Sequence, residues 1–213
     1  MEHLERLRSQ DYFKDDCFEG LDLADFDFSG KDFYRCTFRH SKLTGTRWLR
    51  ARLEDCAFED CDLTQMQPGD SSALGVRFLR CKLMGITWDN LSVSSQLAFE
   101  ECNLRYASFV RAPLRKTPFL RCRAQEASFL DCDLQGADFA STDLAGANFQ
   151  GADLRDADLS QAENVFVDPA KNRIRGLRVS VDTAAALATS LGMRVAGYEQ
   201  EAPRPAPRGK ARR

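Results

Sequence analysis

Between Leu134 and Leu159 a large apolar residue returns every five positions, at Leu134, Phe139, Leu144, Phe149, Leu154 and Leu159. A small residue precedes each by two, at Cys132, Ala137, Thr142, Ala147, Ala152 and Ala157, and the residue between is always Asp or Asn. A period of five fits neither an α-helix nor a β-strand, whose side chains recur at 3.6 and 2. A fixed internal period instead predicts a repeat architecture, in which each unit buries its apolar side against its neighbours.

The pattern resembles the pentapeptide-repeat family, whose motif is A(D/N)LXX. That resemblance implies an all-β solenoid, a right-handed quadrilateral β-helix. Each pentapeptide would form one side and four would close a coil, giving about 7–8 coils over residues 12–168. The coil length can be tested in the residues themselves. Steps of twenty from Phe18 give Phe38, Phe58 and Phe78, and after one extra residue Phe99, Phe119, Phe139 and Leu159. The second side runs Leu23, Leu43, Leu63, Leu83, Leu104, Ala124, Leu144. The third runs Phe28, Trp48, Pro68, Trp88, Phe109, Phe129, Phe149, and the fourth Phe33, Leu53, Ala73, Val93, Leu114, Leu134, Leu154. A core stack of aromatic rings is therefore expected, with the extra residue falling between Val93 and Phe99.

Seven of the eight cysteines (Cys36, Cys56, Cys61, Cys81, Cys102, Cys122 and Cys132) occupy the small inward position, so packed thiols are expected. Cys17 alone lies off that register. No Cys pair is accompanied by His in a zinc-binding spacing, so neither metal nor cofactor is expected. The two histidines, His3 and His40, are far apart, and no nucleophile, phosphate-loop or dinucleotide motif is present. No catalytic residue is assigned, and the chain is not expected to be an enzyme. No stretch resembles a membrane span, and the start lacks a signal-peptide core, which predicts a cytoplasmic protein without membrane contact.

The net charge of −2 hides an uneven layout. Residues 1–168 carry 20 Lys+Arg against 29 Asp+Glu, whereas residues 169–213 carry 10 against 3. From Ala124 to Asp168 there is one cation, Arg155, against ten acids. Such asymmetry bears on partners rather than on fold. An acidic solenoid argues against direct DNA binding by the folded part, because DNA affinity rests on phosphate neutralisation.

Four segments follow. Residues 1–11 form an N-terminal cap, 12–168 the β-helix, 169–198 a C-terminal helix and strand, and 199–213 a disordered basic tail rich in Pro and Arg. Within the β-helix, residues 64–98 depart from the motif at Gln67, Pro68, Asp70, Ser71, Trp88, Leu91, Ser94 and Ser95. Irregular positions in a regular scaffold mark either a binding surface or a local kink. In the C-terminal segment Asp182 is the expected N-cap of a helix that Gly192 stops, and MRVAGY the expected strand. Leu187 and Leu191 share one helix face, and with Val195 they are the expected dimerisation residues.

SQDYF near the start, VRFLRCKLMGITW, the degenerate mid-chain patch and RIRGLRVSVDTAAALATSLGMRV resemble one subgroup of the family. Its members protect DNA gyrase or topoisomerase IV from antibiotics such as quinolones, albicidin and microcin. The resemblance implies a homodimer joined through the C-terminus, whose acidic face imitates duplex DNA. Asp133, Asp138, Asp143, Asp153, Asp156 and Asp158 would form that face beside the dimer end. The nearly unbroken register predicts no extruded loop, which favours the albicidin type over the quinolone type. The alternative is a non-catalytic adaptor solenoid that binds an unrelated protein. Aspartates that recur with the repeat can equally serve the turns.

Overall fold

The computed structural model describes residues 2–88 and 91–198. After a short helix the chain winds into a parallel β-solenoid of stacked four-sided coils, and a second helix follows at the far end. The first side builds a six-stranded ladder from β2 (Cys17–Glu19), β4 (Thr37–Arg39), β6 (Ala57–Glu59), β8 (Val76–Leu79), β9 (Leu97–Glu100) and β10 (Phe119–Leu120). The fourth side pairs β1 (Tyr12–Lys14), β3 (Asp32–Tyr34), β5 (Arg52–Glu54) and β7 (Ser72–Leu74). Register runs at twenty, as in Phe18↔Phe38 and Phe38↔Phe58, and shifts to twenty-one at Phe78↔Phe99. The second and third sides meet through single parallel bridges such as Asp22↔Lys42 and Arg47↔Gln67.

The core is the inside of the square. Phe18, Phe38, Phe58, Phe78, Phe99, Phe119 and Phe139 are all at most 3% exposed. Their rings stack with centroid separations of 4.9, 4.9, 5.0, 5.3, 5.1 and 4.8 Å. That spacing is close to the interstrand distance itself. The third-side aromatics face this column edge-on, as in Phe38–Trp48 at 5.8 Å and 81°. Edge-to-face contact across the square and offset stacking along it are the two favoured ring geometries. Pro68 interrupts the third column, and it is buried there between the coils of Trp48 and Trp88.

The corners are made by the last residue of nearly every pentad, which takes positive φ. Glycine serves at some corners, but other residues do so too, among them Arg35, Asp55, Asp60 and Lys116. Such a backbone costs a non-glycine residue about 1–2 kcal/mol. Hydrogen bonds to the next coil offset that cost, as from the Asp15, Arg35 and Asp55 N–H groups to the Tyr34, Glu54 and Leu74 carbonyls. On the second and third sides an extra bond closes the corner, as from the Phe26 N–H to the Leu23 carbonyl. From Leu114 onward these corner bonds appear on the fourth side as well, and the extended strands shorten.

The ends differ from one another. Helix α1 (Glu2–Ser9) packs at the first coil, burying Leu7 and tying Arg6 to Asp16 with two 3.0 Å hydrogen bonds. At the other end β11 (Asp158–Leu159) pairs with β12 (Arg178–Val179), and α2 spans Val181–Ser190. The α2 cap is Ser180, whose hydroxyl accepts from the Thr183 N–H at 3.1 Å; the expected cap, Asp182, lies in the first turn instead. Serine caps as well as aspartate does, and the chain is still extended at Ser180. Gly192 ends the helix with φ 85°, as the sequence predicts. The strand expected in MRVAGY does not form, because residues 193–198 run through turns without a ladder partner among the described residues. The basic tail expected to be disordered lies outside the described residues.

Val93 departs most from the sequence reading. The twenty-residue count puts it in the fourth column, yet it is 91% exposed. Leu91 and Leu97 are buried at either side, so the chain leaves the square between them and carries Val93 outward. The Gln96 N–H bonds back to the Ala73 carbonyl outside the regular pattern, and the β8–β9 pairing Val76↔Leu97 then resumes the ladder one residue late.

Candidate functional site

The six candidate carboxylates do not share one face. Asp133 and Asp153 stack on the fourth side, Asp138 and Asp158 on the first, and Asp143 with Glu163 on the second. Asp156 occupies the corner between the fourth and first sides, with φ 57°. The reason is geometric: each five-residue step turns the chain through one side, so acids five apart must spread around the rod. Only acids twenty apart can line up.

Five of these residues also hold their own turns. One carboxylate oxygen of Asp133, Asp138, Asp143, Asp153 and Asp158 accepts the N–H two residues on, at 2.9 to 3.3 Å. This is the Asx arrangement that turn-forming aspartates favour. The outer oxygens are largely occupied too. Asp158 pairs with Arg178 at 2.7 Å, and Asp153 pairs with Arg155 at 2.6 Å and Arg173 at 3.5 Å. Asp133 lies 3.4 Å from Arg115, and Asp143 accepts from Asn164 and Gln125. Asp138 and Asp156 form no ion pair among the described residues. Sequence reasoning missed Arg173 and Arg178 as partners, although adding twenty to Asp153 and Asp158 names them. The sequence pattern puts a strongly acidic segment toward the C-terminal end of the solenoid; the structure sets these cations beside it.

The ion pairs shift the titration of Asp153. The Arg155 guanidinium holds its carboxyl at about 2. A depressed folded value means that the carboxylate stabilises the fold above the unfolded value of about 3.9 and loses this as pH falls toward 2. Asp153→Asn is therefore expected to flatten the fall in melting temperature between about pH 4 and 2. Thermal melts of both proteins across that window check it; parallel curves would refute it.

The irregular patch divides into core and surface. Pro68, Ser71, Trp88 and Leu91 are buried, so they shape the interior and cannot touch a partner directly. Gln67, Asp70 and Ser94 are exposed and Ser95 is half-buried. The Trp48 indole N–H donates to the Thr46 hydroxyl at 2.9 Å. The Trp88 N–H, with Ile86 in the equivalent small position, has no acceptor among the described residues. The patch also exposes Leu74 and Val93, and Leu49 is exposed on the third side.

At the C-terminal end Leu187 and Val195 are half-buried and Leu191 is 56% exposed. Val181 at 84%, Met193 at 58% and Phe166 at 56% add apolar surface that the four-residue spacing of the leucines could not signal. Cys17 is exposed, and the seven inward cysteines are buried and free. Burial pushes the Cys132 thiol up to about 12, which leaves it protonated and packed. Among the described residues no helix is long and apolar enough to cross a membrane.

A family model described as "Pentapeptide repeat region" matches residues 12–88 and 95–164. A quinolone resistance pentapeptide repeat protein, QnrB96 of Scandinavium goeteborgense, is 28% identical over 105 residues, 45% of this chain and 49% of that protein. The chain thus aligns with about half the length of this curated relative. Among solved structures, QnrB1, a plasmid-mediated fluoroquinolone resistance protein, is similar in two trypsin-treated variants. One has a TM-score of 0.55 at 20% identity, covering 86% of this chain and 99% of that one. The other has a TM-score of 0.54 at 25% identity, covering 86% and 89%. The gap in the family match, residues 89–94, includes the outward excursion at Val93.

Proposed function

Since the chain belongs to the pentapeptide-repeat family, we propose that it protects a type II topoisomerase, DNA gyrase or topoisomerase IV, from a poisoning antibiotic. It acts by binding and carries out no reaction of its own. The observation that carries this reading is the similarity to a quinolone resistance protein of the same repeat family. That relative shifts the choice of drug class toward quinolones, against the albicidin type that the register favours.

The geometry supports a binding role. About eight coils at the ~4.8 Å interstrand spacing make a rod roughly 37 Å long. Two copies joined through the exposed C-terminal apolar residues would double it, a length suited to a groove built for duplex DNA. Duplex DNA carries one phosphate per ~1.7 Å of axis. The unpaired carboxylates of Asp138 and Asp156 are the charges best placed to meet cations in such a groove, because Asp153 and Asp158 are already occupied. Exposed Gln67, Asp70, Ser94 and Val93 supply a second contact that sets partner choice.

The test adds purified protein to gyrase and to topoisomerase IV with a fluoroquinolone and scores drug-stabilised DNA cleavage. Cleavage is expected to fall with added protein. Asp138→Asn with Asp156→Asn is expected to raise the concentration needed by about tenfold, one ~1.4 kcal/mol step. Cleavage and supercoiling that stay unchanged at every concentration would instead favour an adaptor solenoid with an unrelated protein partner.

A further inference from the structure

Where the chain leaves the square between Leu91 and Leu97, the corner column formed by Arg35, Asp55, Gly75 and Lys116 is interrupted. The regular coil would place a turn between Gly75 and Lys116. In its place lies an open cleft of about 790 Å3. That volume is within the ~300–1,000 Å3 range of small-molecule sites. Arg35, Arg77, Arg115 and Lys116 line it, with Asp55 as the one carboxylate, over a floor that includes Val76 and Leu97.

The cleft leaves polar groups without partners among the described residues. In the three preceding coils the corner N–H groups of Asp15, Arg35 and Asp55 each bond to a carbonyl of the next coil. The Gly75 N–H has no such acceptor, because the chain that would supply it has swung outward. Gly75 holds φ 68°, and a Cβ there would come 2.6 Å from an Asp55 carboxylate oxygen, so a larger residue would push the Asp55 side chain aside. Thr117 is 4% exposed and lines the cleft, yet its hydroxyl bonds to no described group. The inward hydroxyls of Thr46 and Thr142 both donate to carbonyls.

The cations are unequally free. Arg35 is held by two bonds to Asp15, at 2.6 and 2.8 Å, and Arg115 lies 3.4 Å from Asp133. Arg77 and Lys116 have no carboxylate partner among the described residues. Two uncommitted cations, a free backbone N–H and a free hydroxyl around one concavity are the donor set of an oxyanion site.

We propose that this cleft binds a small phosphorylated molecule, with Arg77 and Lys116 on the phosphate oxygens and the Gly75 N–H and Thr117 hydroxyl completing the shell. A planar guanidinium fork and a point-charge ammonium are the usual protein partners of phosphate. Asp55 on the wall disfavours a spread of negative charge and so selects a compact phosphoryl group over an extended acidic chain. This inference does not rest on the topoisomerase reading.

Isothermal titration calorimetry of the full chain with inorganic pyrophosphate, at constant ionic strength, tests it. Saturable binding is expected, weakened at least about tenfold by Arg77→Ser with Lys116→Ser, a loss of ~1.4 kcal/mol or more. Both side chains are exposed, so circular dichroism of the variant should match the parent. Absence of saturable binding, or equal affinity in the variant, would overturn the site. Tighter binding of a short polyglutamate peptide than of pyrophosphate would overturn the ligand class.

Discussion

Phe99→Ala is expected to destabilise the protein by about 3–5 kcal/mol, the cost of emptying a well-packed aromatic site. The ring is fully buried and stacks on Phe78 at 5.3 Å and Phe119 at 5.1 Å. It also meets Trp88 and Phe109 edge-on at 5.8 and 5.9 Å. Its strand, β9, is the first regular element after the excursion at Val93, so the rings also restore register there. Little collapse is available, since the coils above and below are tied by their own backbone ladders. Val93→Ala is the contrast: at 91% exposure it should change stability by no more than about 0.5 kcal/mol. Chemical denaturation of both variants measures the difference. Near-equal effects would mean that Val93 does sit in the column and that the one-residue shift lies elsewhere.

The second large effect is expected at the C-terminal end. If the proposed C-terminal dimer forms, Leu191→Asp with Met193→Asp should convert it into a folded monomer, halving the mass in sedimentation equilibrium. The two side chains are 56% and 58% exposed, and Val181 at the start of α2 is 84% exposed. Apolar groups gathered at one end of a solenoid have a surface to gain by self-association. Burial in a dimer would stabilise by about 25 cal/mol per Å2, and a buried aspartate would reverse that gain. Leu187 is a poorer choice, because it is half-buried within its own chain and its loss would also disturb α2. Far-UV circular dichroism should show the fold intact. An unchanged mass would remove the C-terminus as the interface and with it the doubled rod.

The sequence alone determined the solenoid, its twenty-residue coil and nearly every inward side chain, because each coil repeats one packing problem. A residue that must stack on its copy twenty positions earlier can be read without coordinates, as Phe18 to Phe139 show. The cysteine positions followed from the same logic. What the repeat could not state is what happens where it fails. Val93 fitted the count, which set the extra residue between Val93 and Phe99, but only the structure shows the chain already outside the square at Val93 and back in the ladder at Val76↔Leu97. The acidic face failed for a related reason. Five-residue spacing was legible, but its projection onto three sides, and the pairing of Asp153 and Asp158 with Arg173 and Arg178, are properties of the wound rod. Side chains that face inward answer to local spacing; those that face outward acquire neighbours only when the coils close, and the tertiary structure alone decides which charges stay free.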